Sequence, residues 1–165
     1  MASIINVDQI AEATSGSGVN IPGHVVYVSQ VVTSASTTSS SQTSLVDVSG
    51  ATLTVTPKST SNKILLMFDL GAYTNSGSTF PIPNYAIVRG STVIHAKNGW
   101  YLDARSTGTV FGQQLFRIGM SYLDSPSTTS ATTYKLQYKS ASGGSGHPVL
   151  GVEEGSTFTL MEIAQ

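Results

Sequence analysis

The side chains best suited to proton transfer or metal ligation in this chain are three histidines, and they are scattered: His24, His95 and His147. A hydrolase needs a nucleophile, a base and an orienting group converging on one cleft, and none of the three shares a short motif with a carboxylate. The sequence contains no G-x-S-x-G elbow, no H-E-x-x-H pair and no Walker-type loop. Gly16-Ser17-Gly18 and Gly143-Gly144-Ser145-Gly146 are rich in glycine, but neither precedes a helix whose N-terminus would cradle phosphate, so both read as loops. Glu153-Glu154 and Asp103 with Arg105 are local charge groupings of the kind that sit solvated on a surface. One histidine from each of three subunits could ring a symmetry axis and hold a metal, but such sites are rare. The expectation is therefore no catalytic residue, no metal and no cofactor. With no cysteine in the chain, disulfides and thiolate chemistry are excluded outright.

A second grouping is aromatic. Trp100-Tyr101 stands beside Asn98-Gly99, with Tyr73, Asn75, Phe80 and Tyr85 in nearby segments. Rings flanked by Asn, Asp and Ser can stack on sugar faces while the polar groups hold hydroxyls. Tyr73, Trp100 and Tyr101 are accordingly a candidate glycan or receptor loop, set against the better-supported alternative that Trp100 is a packing residue. Nucleic acid is a poor partner: a net charge of −1 and a pI near 6.2 supply no field to draw a phosphate backbone.

The elements that position these residues are strands. Ser and Thr number 25 and 20 of 165 residues, while charged residues make up 10%, so the surface is wetted by hydroxyls rather than by charge. Clusters of β-branched and aromatic residues argue against disorder, and no stretch approaches the roughly 20 apolar residues needed to cross a bilayer. From His24 onward the hydrophobic period is two. Ala51, Leu53 and Val55 alternate with Thr52, Thr54 and Thr56, and Tyr134, Leu136 and Tyr138 alternate with Lys135, Gln137 and Lys139. Tyr85 to Val88 and Thr92 to His95 flank Arg89-Gly90-Ser91, which has the glycine and length of a tight hairpin. Val110 to Leu123, carrying Gly112 and Gly119, reads as one bent or bulged strand. Eight to ten strands with Ser/Thr/Gly/Pro connections predict an all-β sandwich or barrel. A jelly roll of two Greek keys fits best, its long crossovers falling near 34–42, 74–84 and 125–132, with an immunoglobulin-like sandwich as the alternative.

Residues 1–23 differ. Ile4, Ile5, Val7 and Ile10 form an apolar cluster ahead of Thr14-Ser15-Gly16-Ser17-Gly18, which has linker composition, and Pro22-Gly23 punctuates the chain before the first strand. The segment is too short to make its own core. The organisation expected is an anchoring arm and hinge over 1–23 and a single body over 24–165.

Two sets of fragments carry a family likeness. Ile5-Asn6-Val7-Asp8-Gln9-Ile10 and Ser15-Gly16-Ser17-Gly18-Val19-Asn20-Ile21-Pro22-Gly23-His24-Val25 form the first. The second comprises Ser59-Thr60-Ser61-Asn62-Lys63-Ile64-Leu65, Val88-Arg89-Gly90-Ser91-Thr92, Ser121-Tyr122-Leu123-Asp124-Ser125-Pro126 and Thr132-Thr133-Tyr134-Lys135. Together the chain resembles virion structural proteins of tailed bacteriophages of the marine and cyanophage type, labelled variously head fibre, decoration protein or tail fibre. The resemblance implies a jelly-roll body of the tumour-necrosis-factor-like trimeric kind, preceded by an arm that attaches it to the particle, and it brings no catalytic residues. The partners it implies are two further copies of the chain and, through Ile4, Ile5, Val7 and Ile10, the major capsid protein or another virion protein. The setting it implies is the virion surface after assembly in the host cytoplasm. A tail or baseplate tip binding a host surface polysaccharide is the alternative function.

Counting faces supports self-association from the residues themselves. A strand of a two-sheet sandwich gives one face to the core and one to water, yet Ile64 to Phe68 is apolar throughout, and Phe158, Leu160, Met161 and Ile163 crowd the C-terminal strand. A second dry face is expected on both, with Met67, Phe68, Met161 and Ile163 as the trimer interface.

Overall fold

The computed structural model describes residues 11, 21–33, 37–38, 44–75, 83–97, 114–140, 147–150 and 155–165. These residues form ten strands: β1 (Val25–Thr33), β2 (Thr37–Thr38), β3 (Val46–Val55), β4 (Lys63–Asn75), β5 (Pro83–Arg89), β6 (Thr92–Lys97), β7 (Gln114–Asp124), β8 (Thr132–Ser140), β9 (His147–Leu150) and β10 (Ser156–Ile163). Every pairing is antiparallel.

Two sheets result. In the first, β1 pairs β10, β10 pairs the first half of β4, and β7 lies along the other edge of β4. The lane of β10 is continued by β9, which pairs Ala72–Asn75 of β4 and in turn holds β2. The second sheet runs β3-β8-β5-β6. Among the eight longer strands the chain changes sheet at every connection except the β5–β6 hairpin. That alternation is the jelly-roll wrap of a β-sandwich, and it removes the immunoglobulin-like alternative.

Period-two patterning accounts for the core. Ile64, Leu66, Phe68 and Leu70 of β4 and Phe158 and Leu160 of β10 meet Leu53 and Val55 of β3, Ile87 of β5 and Tyr134, Leu136 and Tyr138 of β8. Phe68 and Phe158 pack edge to face with ring centroids 6.5 Å apart, a preferred aromatic geometry. The threonines that alternate with Ala51, Leu53 and Val55 are exposed. Where β1 meets β3, Gly50 adopts φ +77° and the Thr33 hydroxyl donates to the Ser49 carbonyl at 2.9 Å. A Cβ at Gly50 would lie 3.0 Å from Thr33 Oγ1, so both the bulge and the close approach require glycine.

The strand ends define two poles. At one, β1, β4 and β8 begin and β3, β5, β7 and β10 end, as the pairs Val25 with Ile163, Ile64 with Asp124, Val55 with Thr132 and Arg89 with Tyr134 show. The opposite pole gathers the end of β6 and the start of β7, between which residues 98–113 run.

Candidate functional site

At the first pole the sandwich is closed by two polar latches. Glu162 of β10 follows Phe158 and Leu160 in parity and is fully buried. Its Oε1 accepts from the Lys58 backbone N–H at 2.6 Å and from Asn62 Nδ2 at 2.7 Å, so one carboxylate oxygen pins the β3–β4 crossover onto β10. Asn62 Oδ1 accepts from the Gln165 N–H, and Ala164 exchanges backbone hydrogen bonds with Gly23 and His24 at 2.8 and 2.9 Å. The crossover, the C-terminal residues and the root of β1 are thereby fastened together.

The second latch joins the sheets. Asp124 of β7, 5% exposed, accepts from Arg89 of β5 through both carboxylate oxygens and from the Tyr134 hydroxyl of β8 at 2.7 Å. Burial, then the hydrogen bond to Asp124, pushes the Tyr134 hydroxyl pKa well above the ordinary phenol range, so it stays a donor. Further along the same seam, two residues from Asp124 on β7, Tyr122 stacks on His95 of β6 at 4.7 Å and 17°. Among the described residues no three His, Asp or Glu side chains are grouped to hold a metal. His24 is exposed at the root of β1, and only the backbone of His147 is described, in β9.

The outer face of the first sheet is the site with unsatisfied chemistry. Residues directly opposite in an antiparallel pair share a face, so the register lays Val25, Val28 and Val32 of β1 beside Ile163, Met161 and Thr157 of β10. Met161 continues to Leu65 and Thr159 to Met67 of β4, and Leu65 to Leu123 of β7. Val32 is 65% exposed, Val28 55% and Leu123 46%, while Leu65, Met67, Met161 and Ile163 are half-buried. A polar rim ends the patch: Arg117 of β7 reaches Asp69 of β4 at 2.8 Å, and its hydrogen bond holds the Asp69 carboxyl below the usual carboxylate range. The outer face of the second sheet is unlike it, carrying exposed Thr52 and Thr54 and the ion pair Lys135–Asp47 at 3.0 Å.

The register places three of the four expected interface residues on the outer face and one in the core. Met67, Met161 and Ile163 lie on the outer face. Phe68 has the opposite parity and is a core residue, 3% exposed against Phe158, and the same parity takes Phe158 and Leu160 into the core. Five consecutive apolar residues in β4 reflect one core face and one apolar outer face, not a wholly enclosed strand. Of the other expected sites, Ile4, Ile5, Val7 and Ile10 and the loop residues Trp100 and Tyr101 lie outside the described residues, and the backbone of Tyr73 sits in β4 opposite Leu115 and Val149. Sequence patterning alone assigns the latch residues Glu162, Asn62, Asp124 and Arg89 no role. The available signal was parity, which places Glu162 on the core face with Phe158 and Leu160.

No family model matches the chain, and no curated protein matches it. Solved structures do. The infectious bursal disease virus Gx strain structure aligns at TM-score 0.40 and 13% identity over 99% of this chain and 46% of the other. T=1 particles derived from the same virus align at TM-score 0.41 and 13% identity, over 99% of this chain and 40% of that one. A VP2 subviral particle aligns at 0.37 and 13% over 84% and 37%. The chain spans less than half the length of these solved chains.

Proposed function

We propose that the chain is a structural protein of a virion, a trimeric capsid decoration or head-fibre protein whose body self-associates through the outer face of the β1-β10-β4-β7 sheet and whose N-terminal arm attaches it to the particle. The observation that carries this reading is the apolar row Leu65, Met67, Met161 and Ile163, flanked by Val28 and Leu123, on a face that in a lone sandwich belongs to water. Exposed contiguous apolar surface with a polar rim marks an interaction site. A closed ring of copies covers it without open-ended growth, and the resemblance described above favours threefold symmetry.

The two poles support an orientation for such a trimer. The arm joins the body at Gly23, beside Ala164, whereas the segment 98–113 that carries Trp100 and Tyr101 is rooted at the opposite pole. With the root of the arm toward the particle, the strand ends that flank residues 98–113 face away from it, which keeps a host surface glycan as a secondary partner. The work is done by assembly, not by catalysis. The test is sedimentation of full-length protein at micromolar concentration. Wild type should run as a trimer and Met161→Asp as a monomer or aggregate, while Thr54→Asp on the hydroxyl face should leave the trimer intact. A monomeric wild type overturns the reading.

A further inference from the structure

β1 is the terminal strand of its sheet: β10 occupies one edge, and among the described residues no strand occupies the other. Native sheets blunt such an edge with Lys, Pro, a very short strand or a covering loop. β1 has nine residues, Val-Val-Tyr-Val-Ser-Gln-Val-Val-Thr, with neither charge nor proline nor glycine. Four of the six large hydrophobic side chains that stand exposed among the described residues belong to it: Val25, Tyr27, Val28 and Val32. Over Val25–Val32, a backbone edge that no described strand pairs and the exposed side chains therefore coincide, a template for strand addition.

The sequence of β1 specifies the occupant. Laid antiparallel on itself about Ser29, the strand sets Tyr27 opposite Val31, Val26 opposite Val32 and Val28 opposite Gln30. Aromatic to β-branched and β-branched to β-branched pairs are the favourable cross-strand combinations, and no like charges meet. We propose that β1 pairs edge to edge with β1 of a second copy across a twofold axis near Ser29, fusing two sheets into one. This contact lies in the plane of the sheet, whereas the trimer contact proposed above lies on its face. It goes beyond that reading, and it gives trimers a way to join neighbouring trimers.

The absence of cysteine makes the test clean. Opposed residues of an antiparallel pair have Cα atoms about 4.5–5.5 Å apart, within the roughly 4.4–6.8 Å that a disulfide spans. Full-length Ser29→Cys, mildly oxidised, should run as a covalent dimer on non-reducing gels, with Gln30→Cys, one residue off the axis, cross-linking less. Thr54→Cys on the outer face of the other sheet should stay single. A Ser29→Cys dimer yield no greater than that of Thr54→Cys overturns the proposal, and if the uncross-linked protein still sediments as a trimer the face reading survives it. Cross-linking of Ser29→Cys in a protein that otherwise sediments as a monomer upholds the edge contact and removes the trimer.

Discussion

Replacing Glu162 tests whether a single buried carboxylate secures the first pole. Glu162→Ala removes the acceptor for the Lys58 N–H and Asn62 Nδ2, which reach it at 2.6 and 2.7 Å, and leaves Asn62, 3% exposed, with an orphaned amide. Hydrogen bonds to a charged group contribute about 1.5–3 kcal/mol each and a stranded buried polar group costs about 1–3 kcal/mol. These quantities describe overlapping losses, so the expected destabilisation is about 3–5 kcal/mol rather than their sum. Glu162→Gln keeps an oxygen where Oε1 stands and forfeits mainly the charge, so it should cost about 1–2 kcal/mol. Urea unfolding followed by tryptophan fluorescence and far-UV circular dichroism gives both values from midpoints at a common slope. For a chain of this length the alanine variant should lose roughly 6–20 °C in melting temperature. If Glu162→Ala unfolds within about 1 kcal/mol of wild type, or if Glu162→Gln is as damaging as Glu162→Ala, the carboxylate is not the fastening and the reasoning fails.

The other latch should behave as a coupled unit. Arg89→Ala leaves Asp124 buried with Tyr134 as its side-chain donor among the described residues and should cost about 2–4 kcal/mol, Tyr134→Phe about 1–2 kcal/mol, and the double variant less than the sum in denaturant melts. Hydrogen bonds from Gln137 and then Lys135 hold the Asp47 carboxyl below the usual carboxylate range. A depressed folded pKa contributes stability that is complete above the ordinary carboxylate range and is lost as pH falls through the folded value. Asp47→Asn should therefore cost less than about 1 kcal/mol at neutral pH, the pair being half-exposed, and the gap should close under strong acid. Gly50→Ala should destabilise by more than about 1 kcal/mol, because it adds a positive-φ penalty to a clash with Thr33, and Thr33→Ser should leave room for little relief in the same melt. Deleting residues 2–18 should leave the trimer mass intact and abolish binding to purified particles in a pelleting assay.

Strand identity and facing were legible wherever period two was clean. Ala51-Leu53-Val55 and Tyr134-Leu136-Tyr138 lie on the core side with their threonine, lysine and glutamine neighbours outside, because alternation fixes which face is buried. The hairpin around Gly90, at φ +59°, follows from the same logic. The reading failed where both faces are apolar. In Ile64-Leu65-Leu66-Met67-Phe68 composition reports that two faces are dry without saying which residue takes which, so Phe68, a core residue, is not separable from Met67 by composition. β2 and β9 were missed: they have two and four residues, and β9 contains Pro148, which demotes a strand on inspection. The latches were missed for a different reason. Asp124 and Arg89 stand 35 residues apart and Glu162 and Asn62 stand 100 apart, and only the jelly-roll wrap brings them to one pole.

The backbone exchange between Gly23, His24 and Ala164 makes the body a ring in all but covalent connection. A short peptide joining residue 164 to residue 24 would close it without moving a strand, so the order of strands along the chain is separable from their order in space. Opening such a ring within Ser125–Ser130, an exposed connection between β7 and β8, would yield a circular permutant with both new ends at the first pole. A guest domain fused to residue 165 would emerge at the same pole, beside the arm, whereas one inserted between β6 and β7 would emerge at the other. The same body can thus carry cargo at either pole.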